Sequence, residues 1–158
     1  MSGLPEVGLR LLDPRLTAGG FPRWGSAAAA GLDLHACLDA PLVLPPRAKP
    51  ALIPAGFSVL IRDPDWCGLI VPRSGRGHRD GLVLGNGTGV IDADYEGPLM
   101  VSAWNRNDAE PGPASPSRTV RAGRAIRVKT SWAIRSPGSI RTGSASLRFQ
   151  AETISGPS

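Results

Sequence analysis

Proline and glycine interrupt this chain too often to favour long regular elements: 16 prolines and 20 glycines fall within 158 residues. Proline fixes φ and removes a backbone donor, while glycine loosens the chain, so both tend to end helices and strands. Short apolar runs survive between them. Val7-Gly-Leu-Arg-Leu-Leu12 reads as a first strand stopped by Asp13-Pro14, and residues 17–25 read as a loop. Leu32, Leu34 and Ala36 alternate with Asp33, His35 and Cys37, the period of a half-buried strand. Residues 42–44, 51–56, 57–61, 66–71, 82–84 and 99–104 continue the pattern, with a turn at Asp63-Pro64-Asp65. Strands spaced by about eight to twelve residues with turn residues between them predict an all-β sandwich or barrel. No sustained helical period runs through the first 110 residues, and no internal repeat is visible. Aromatic residues make up only 5% of the chain, so the core is expected to be Leu, Val, Ile and Ala.

The net charge of +5 is unevenly placed. Residues 1–110 hold 10 Lys and Arg against 12 Asp and Glu, whereas residues 111–158 hold 8 against a single acid, Glu152. The second segment also has 9 serines. This shift predicts a β domain over 1–110 and a basic Ser/Arg/Gly/Pro-rich tail over 111–158, an irregular and atypical continuation. A uniform nucleic-acid-binding domain does not fit that distribution, although the tail alone has the charge to engage nucleic acid or another acidic partner. Cys37 and Cys67 lie among apolar neighbours without metal-ligand spacing, which predicts two buried thiols in a reducing compartment. No apolar run approaches the roughly 18 residues needed to cross a bilayer, and no basic-then-apolar leader opens the chain. The expectation is a soluble cytoplasmic protein with no membrane partner.

The middle of the chain carries the chemistry. Pro72-Arg-Ser-Gly-Arg-Gly-His-Arg-Asp-Gly81 combines small residues, which let a backbone approach a ligand, with Arg73, Arg76 and Arg79, which can neutralise one. It reads as a phosphate-binding Gly-rich loop. Gly85-Asn-Gly-Thr-Gly-Val-Ile-Asp-Ala-Asp-Tyr-Glu-Gly97 reads as a tight hairpin whose backbone complements a small planar group. Asp92 and Asp94 are expected to diverge, one into a pocket and one bracing the loop. Tyr95 offers a flat face for a sugar. His78 and His35 are expected to be a packed or solvent-facing residue and a strand residue, neither of them catalytic.

These segments resemble the trimeric dUTP diphosphatase (dUTPase) family. Ala30-Gly-Leu-Asp-Leu-His-Ala36 is similar to its first motif, residues 72–81 to its second and Gly89-Val-Ile-Asp-Ala-Asp-Tyr-Glu-Gly97 to its third. Leu12-Asp-Pro-Arg15, Leu84-Gly-Asn86 and Ser102-Ala-Trp-Asn-Arg106 match as well, so the resemblance runs in order from about residue 9 to 107. It implies a mostly antiparallel jelly roll (β-clip). It also implies a homotrimer with sites at subunit interfaces, and Mg²⁺-assisted hydrolysis of dUTP to dUMP and pyrophosphate. By position, the resemblance makes Asp92 the carboxylate that activates water. It puts Arg73, Ser74 and Gly75 on the phosphates, and Asn86 with backbone groups of Val90 and Ile91 on the uracil edge. Tyr95 falls against deoxyribose, Met100 near the substrate and Asp33 beside the hydrated metal. Hydrogen bonds to the uracil edge would reject cytosine, and the thymine methyl would be rejected sterically.

The resemblance ends beyond residue 107. The family's fourth motif carries a phosphate-binding Gln in an Arg-Ile-Ala-Gln run, but Val128 falls at that place in Ala122-Gly-Arg-Ala-Ile-Arg-Val-Lys129. Arg127 and Lys129 interrupt what should be a buried strand. Residues 138–149 hold the residue types of the closing fifth motif in another order, so Arg148 and Phe149 are not assigned to it. A frameshift near Asn107 or a true basic extension would each produce this break. The readings left open are an active dUTP hydrolase, a nucleotide-binding or regulatory relative with impaired catalysis, and a dCTP deaminase, which shares the fold.

Overall fold

In a computed structural model, the chain is described over residues 6–21, 24–27, 29–108, 118–120, 125–136, 139–141 and 148–152. The elements in order are β1 (Glu6–Leu11), α1 (Pro14–Ala18), β2 (Leu32–His35), β3 (Leu42–Leu44), β4 (Ala51–Leu60) and β5 (Trp66–Pro72). They continue with α2 (Ser74–Asp80), β6 (Leu82–Leu84), β7 (Gly89–Ile91), β8 (Pro98–Asn105), β9 (Arg118–Val120), β10 (Ala125–Ser136), β11 (Ser139–Arg141) and β12 (Arg148–Glu152). One sheet has the order β12-β1-β4-β8-β6. The second has the order β11-β10-β5-β7, with β2 also paired to β10, and β3 pairs with β9. Every pairing is antiparallel except β1 with β12. The fold is therefore an all-β jelly roll with two short helices.

Alternation decides which side chains face inward. Val7 and Leu9 of β1, Leu32 and Leu34 of β2, and Leu99, Val101 and Ala103 of β8 are buried, while their neighbours lie nearer the surface. Among the described residues, aliphatic side chains dominate this core and two aromatics join it, with Phe21 and Phe57 in tilted contact at 4.7 Å between ring centroids. Asn105 is buried at the end of β8 and satisfied: its Nδ2 donates to the Leu44 carbonyl at 3.0 Å and its Oδ1 accepts from the Asn107 amide. Cys37 is buried and burial pushes its thiol up to about 11, but Cys67 is only half-buried.

Three local expectations need correction. Asp13 does end β1, but it also caps a helix: its Oδ1 accepts from the Arg15 amide at 2.9 Å, and Pro14 supplies a fixed φ at the first helical position. The bonded Arg15 guanidinium holds the Asp13 carboxyl down at about 2. Residues 51–60 form one strand rather than two, because an irregularity between Pro54 and Ser58 absorbs the break. Strand β10 runs straight through Arg127 and Lys129, with Val128 to Ile134 paired against β5. Val120 of β9 is buried in the core, and the other side chains of the basic tail, including the fifth-motif region, lie outside the described residues.

Gly56 sits at the β4 irregularity with φ +82, and its carbonyl accepts from the amides of both Leu12 and Asp13. A Cβ here would stand 2.4 Å from Cys37 Sγ and 3.0 Å from Asp13 Cβ. Gly56→Ala should destabilise the fold by about 2–5 kcal/mol, combining left-handed backbone cost with overpacking. Gly20 has φ +70 but open space around it. Gly20→Ala should cost only the backbone part, about 1–2 kcal/mol. Urea unfolding of both variants checks this, and equal losses would remove the packing contribution.

Candidate active site

The second motif is not a loop. Residues Ser74–Asp80 form helix α2, with Arg73 in extended backbone as its first flanking residue and Gly81 ending it at φ +66. Two internal glycines make this a poor helix on propensity, so its surroundings must hold it. Gly77 is buried against Val83, and Asn107 Nδ2 donates to the Asp80 carbonyl at 3.0 Å. The Arg106 amide donates to the Gly81 carbonyl at 2.9 Å. Asn107 and Arg106 follow β8, so that strand fixes the far end of α2. The near end holds the residues expected to meet phosphate. Ser74 and Gly75 are exposed and open the helix, where the first amides have no intrahelical acceptor. Arg76 pairs with Asp80 one turn on, and Arg79 Nε donates to the Gly75 carbonyl. His78 is exposed, as expected.

Arg73 and Asp33 meet. Their closest charged atoms are 3.6 Å apart, with the Asp33 side chain 17% exposed. Asp33 comes from β2 and Arg73 from the end of β5, and β10 lies between the two strands, with Lys129 in register with both Asp33 and Val71. Gly25 covers the pair: a Cβ there would touch Asp33 Oδ2 and Arg73 Nη2. The other Asp33 oxygen, Oδ1, is buried with no hydrogen-bond partner among the described residues. His35 Nδ1 is likewise buried and unpartnered, its ring edge-on to Phe21, and burial lowers its pKa.

The third motif is not a paired hairpin. β6 joins β8 in one sheet and β7 joins β5 in the other, so residues 85–88 carry the chain between sheets. Asn86 is exposed in that connection, and its carbonyl accepts from the Thr88 amide at 2.8 Å. β7 is an edge strand, so its outer backbone groups have no strand partner among the described residues. Val90 is 62% exposed, whereas the Ile91 side chain is in the core and can offer a ligand only its backbone.

After β7 the chain turns. The Tyr95 amide donates to the Asp92 carbonyl at 3.1 Å, and Tyr95 Oη donates to the Pro98 carbonyl at 2.9 Å. The ring lies over Gly97, where a Cβ would be 2.7 Å from Oη. Both Asp92 and Asp94 are exposed, and Asp94 braces nothing among the described residues. Residues two apart in a strand would have shared a face in any case. The brace is Glu96, which the sequence reading missed: it pairs with Arg62 at 3.0 Å and Arg10 at 3.7 Å. Met100 is exposed on β8 in register with Pro54.

These residues form two groups on one chain. Ile91 is in register with Gly68, so Asp92 lies near the level of Cys67. Arg73 follows the opposite end of the same strand. Six residues of extended chain separate the two levels by about 20 Å at 3.3 Å per residue. Segment 72–97 therefore does not close a single pocket on a single chain.

Comparison with known proteins bears on both groups. A family model described as dUTPase matches residues 19–110. The chain is 50% identical over 103 residues to the deoxyuridine 5'-triphosphate nucleotidohydrolase of Albidiferax ferrireducens, covering 65% of this chain and 68% of that protein. It is 54% identical over 99 residues to the same-named protein of Xanthomonas campestris pv. campestris strain B100, covering 62% and 64%. The match thus spans about two thirds of the length of these relatives. Among solved structures, the dUTPase from phage phi11 of S. aureus superposes with a TM-score of 0.67 at 23% identity, over 85% of this chain and 94% of that one. The dUTPase from Streptococcus mutans does so with a TM-score of 0.64 at 24% identity, over 82% and 96%. No helix among the described residues is long and apolar enough to cross a membrane. The matched family model covers both residue groups and more than half of the chain, and the chain belongs to the dUTPase family.

Proposed function

We propose that this protein hydrolyses dUTP to dUMP and pyrophosphate at a site completed between copies of the chain in a homotrimer. The observation that carries the reading is the separation of the two residue groups. A base that works through one water must lie within hydrogen-bonding reach of it, and that water must reach the α-phosphorus. Arg73, Ser74 and Gly75 would hold oxygens of that same phosphate chain, yet they sit about 20 Å away on their own chain. Asp92 of one copy facing Arg73 of the next resolves the conflict, and a closed ring repeats that contact at every interface.

In this arrangement the outer edge of β7, with Asn86, pairs with the uracil edge, and Tyr95 lies against the deoxyribose. Met100 borders the same end. Asp92 takes a proton from water as it attacks, while the guanidinium of Arg73 and the amides opening α2 neutralise the phosphates.

Asp33 fits a hydrated Mg²⁺. It presents a buried carboxylate oxygen without a partner among the described residues, a hard donor of the type this ion prefers. Among the described residues no three acidic, His or Cys side chains gather into a cage. An ion resting on one carboxylate, water and substrate phosphates needs none. When bound, the ion would neutralise charge on the triphosphate.

Pyrophosphate release with dUTP, dCTP, dTTP and UTP tests the proposal. Turnover of dUTP at least about a hundredfold above the others is expected: cytosine leaves polar groups of the site unpaired, which costs more than a lost apolar contact, while the thymine methyl and the ribose 2'-hydroxyl clash with the closely fitted edge strand and Tyr95. Binding of dUTP without turnover would favour a regulatory relative, and ammonia release from dCTP would identify a deaminase.

A further inference from the structure

We propose that Arg62 is a positioning residue that latches the substrate-facing turn 92–97 to the body of the protein, an inference that rests on the dUTP-hydrolysing reading above. The turn carries Asp92 and Tyr95. Its internal bonds, Tyr95 N–H to Asp92 and Tyr95 Oη to Pro98, fix its parts relative to one another. The second also ties the turn to Pro98 at the start of β8, but neither ties it to the segment that leaves β4.

Arg62 does so twice. Its amide donates to the Ala93 carbonyl at 3.0 Å, and its Nε donates to Glu96 Oε1 at 3.0 Å. Arg10 of β1 approaches the other Glu96 oxygen at 3.7 Å. Arg62 is itself anchored. Ile61 before it is buried, and Asp63 after it closes a turn by accepting from the amides of Asp65 and Trp66. Arg62 also has φ +57, a left-handed conformation that a glycine would adopt more easily. A bulky residue held there by contacts on both sides is the pattern of an over-determined site. Its guanidinium reaches Glu96 from that backbone.

The test uses the full chain with three substitutions. Arg62→Gly keeps the amide and relieves the left-handed φ but removes the cation. Glu96→Gln keeps size and removes charge, and Arg62→Lys keeps a cation in reach. Each of the first two should lower kcat/KM for dUTP by about two- to fivefold, the range an exposed ion pair supplies. The double variant should be no worse than the poorer single one, and Arg62→Lys should recover part of the loss. Amide exchange at residues 93–97 should quicken in Arg62→Gly by a similar factor, with no fall in thermal midpoint. If the wild type does not turn over dUTP but exchange still quickens, the hydrolase reading fails and the latch stands. Wild-type turnover with kcat/KM and exchange both unchanged in Arg62→Gly would overturn the latch, as would losses that multiply in the double variant.

Discussion

Asp92→Asn is expected to lower kcat for dUTP by about a hundred- to ten-thousandfold, the span that a positioned general base contributes. Binding of dUMP should change by less than about threefold, because the exchange keeps the size of the side chain and most of its hydrogen bonding. The structure makes this a clean substitution. The Asp92 side chain is exposed, and no hydrogen bond of it is found among the described residues; its turn is held by the backbone carbonyl instead. An amide nitrogen in place of one carboxylate oxygen leaves that turn intact and removes the negative charge and the ability to take a proton. Single-turnover pyrophosphate release beside equilibrium binding of dUMP separates the two effects. A variant with kcat within about tenfold of wild type would move the base to another residue. A variant that also lost dUMP would mean that the carboxylate shapes the turn.

The strands were legible because alternation and punctuation agree. Val7 and Leu9, Leu32 and Leu34, and the apolar residues of β8 face inward as their spacing predicts. Helix α2 was not legible: Ser-Gly-Arg-Gly-His-Arg-Asp has two glycines and no apolar period, and the groups that hold it, Val83 and Asn107, lie outside it. Pro54 and Gly56 read as ends of strands because propensity cannot foresee an irregularity that absorbs them. Strand β10 is a different case. Ile126, Val128, Thr130 and Trp132 alternate with Arg127, Lys129 and Ser131, so a period of two was present beneath the basic composition. The residue types of the candidate site stand in the sequence, but their geometry was not legible there. Sequence order puts Arg73 and Asp92 19 positions apart without saying that the register of β5 with β7 sends them to opposite ends of a strand. The Arg62–Glu96 pair spans 34 positions and belongs to no motif, so no local signal marks it.

That separation makes a second large effect measurable. Neither Asp92→Asn nor Arg73→Ala alone should hydrolyse dUTP appreciably, yet assembling the two together should restore activity. In the proposed arrangement, each interface takes Asp92 from one copy and Arg73 from its neighbour. In a random equal mixture about a quarter of the interfaces receive both intact groups, whatever closed ring the copies form. Recovery to about a quarter of the wild-type rate is therefore expected after co-refolding or co-expression, from two parents that are each nearly inactive. A site confined to one chain gives no recovery, since every chain in the mixture is broken at one end of β5. The reverse mixture sharpens the distinction. Wild type assembled with an equal amount of the Asp92→Asn, Arg73→Ala double variant should again show about a quarter of full activity if sites are shared, against about half if each chain works alone. Agreement of the two mixtures at one value is what only a shared site predicts, because dilution by inactive chains and rescue between damaged ones then obey the same pairing at the interface.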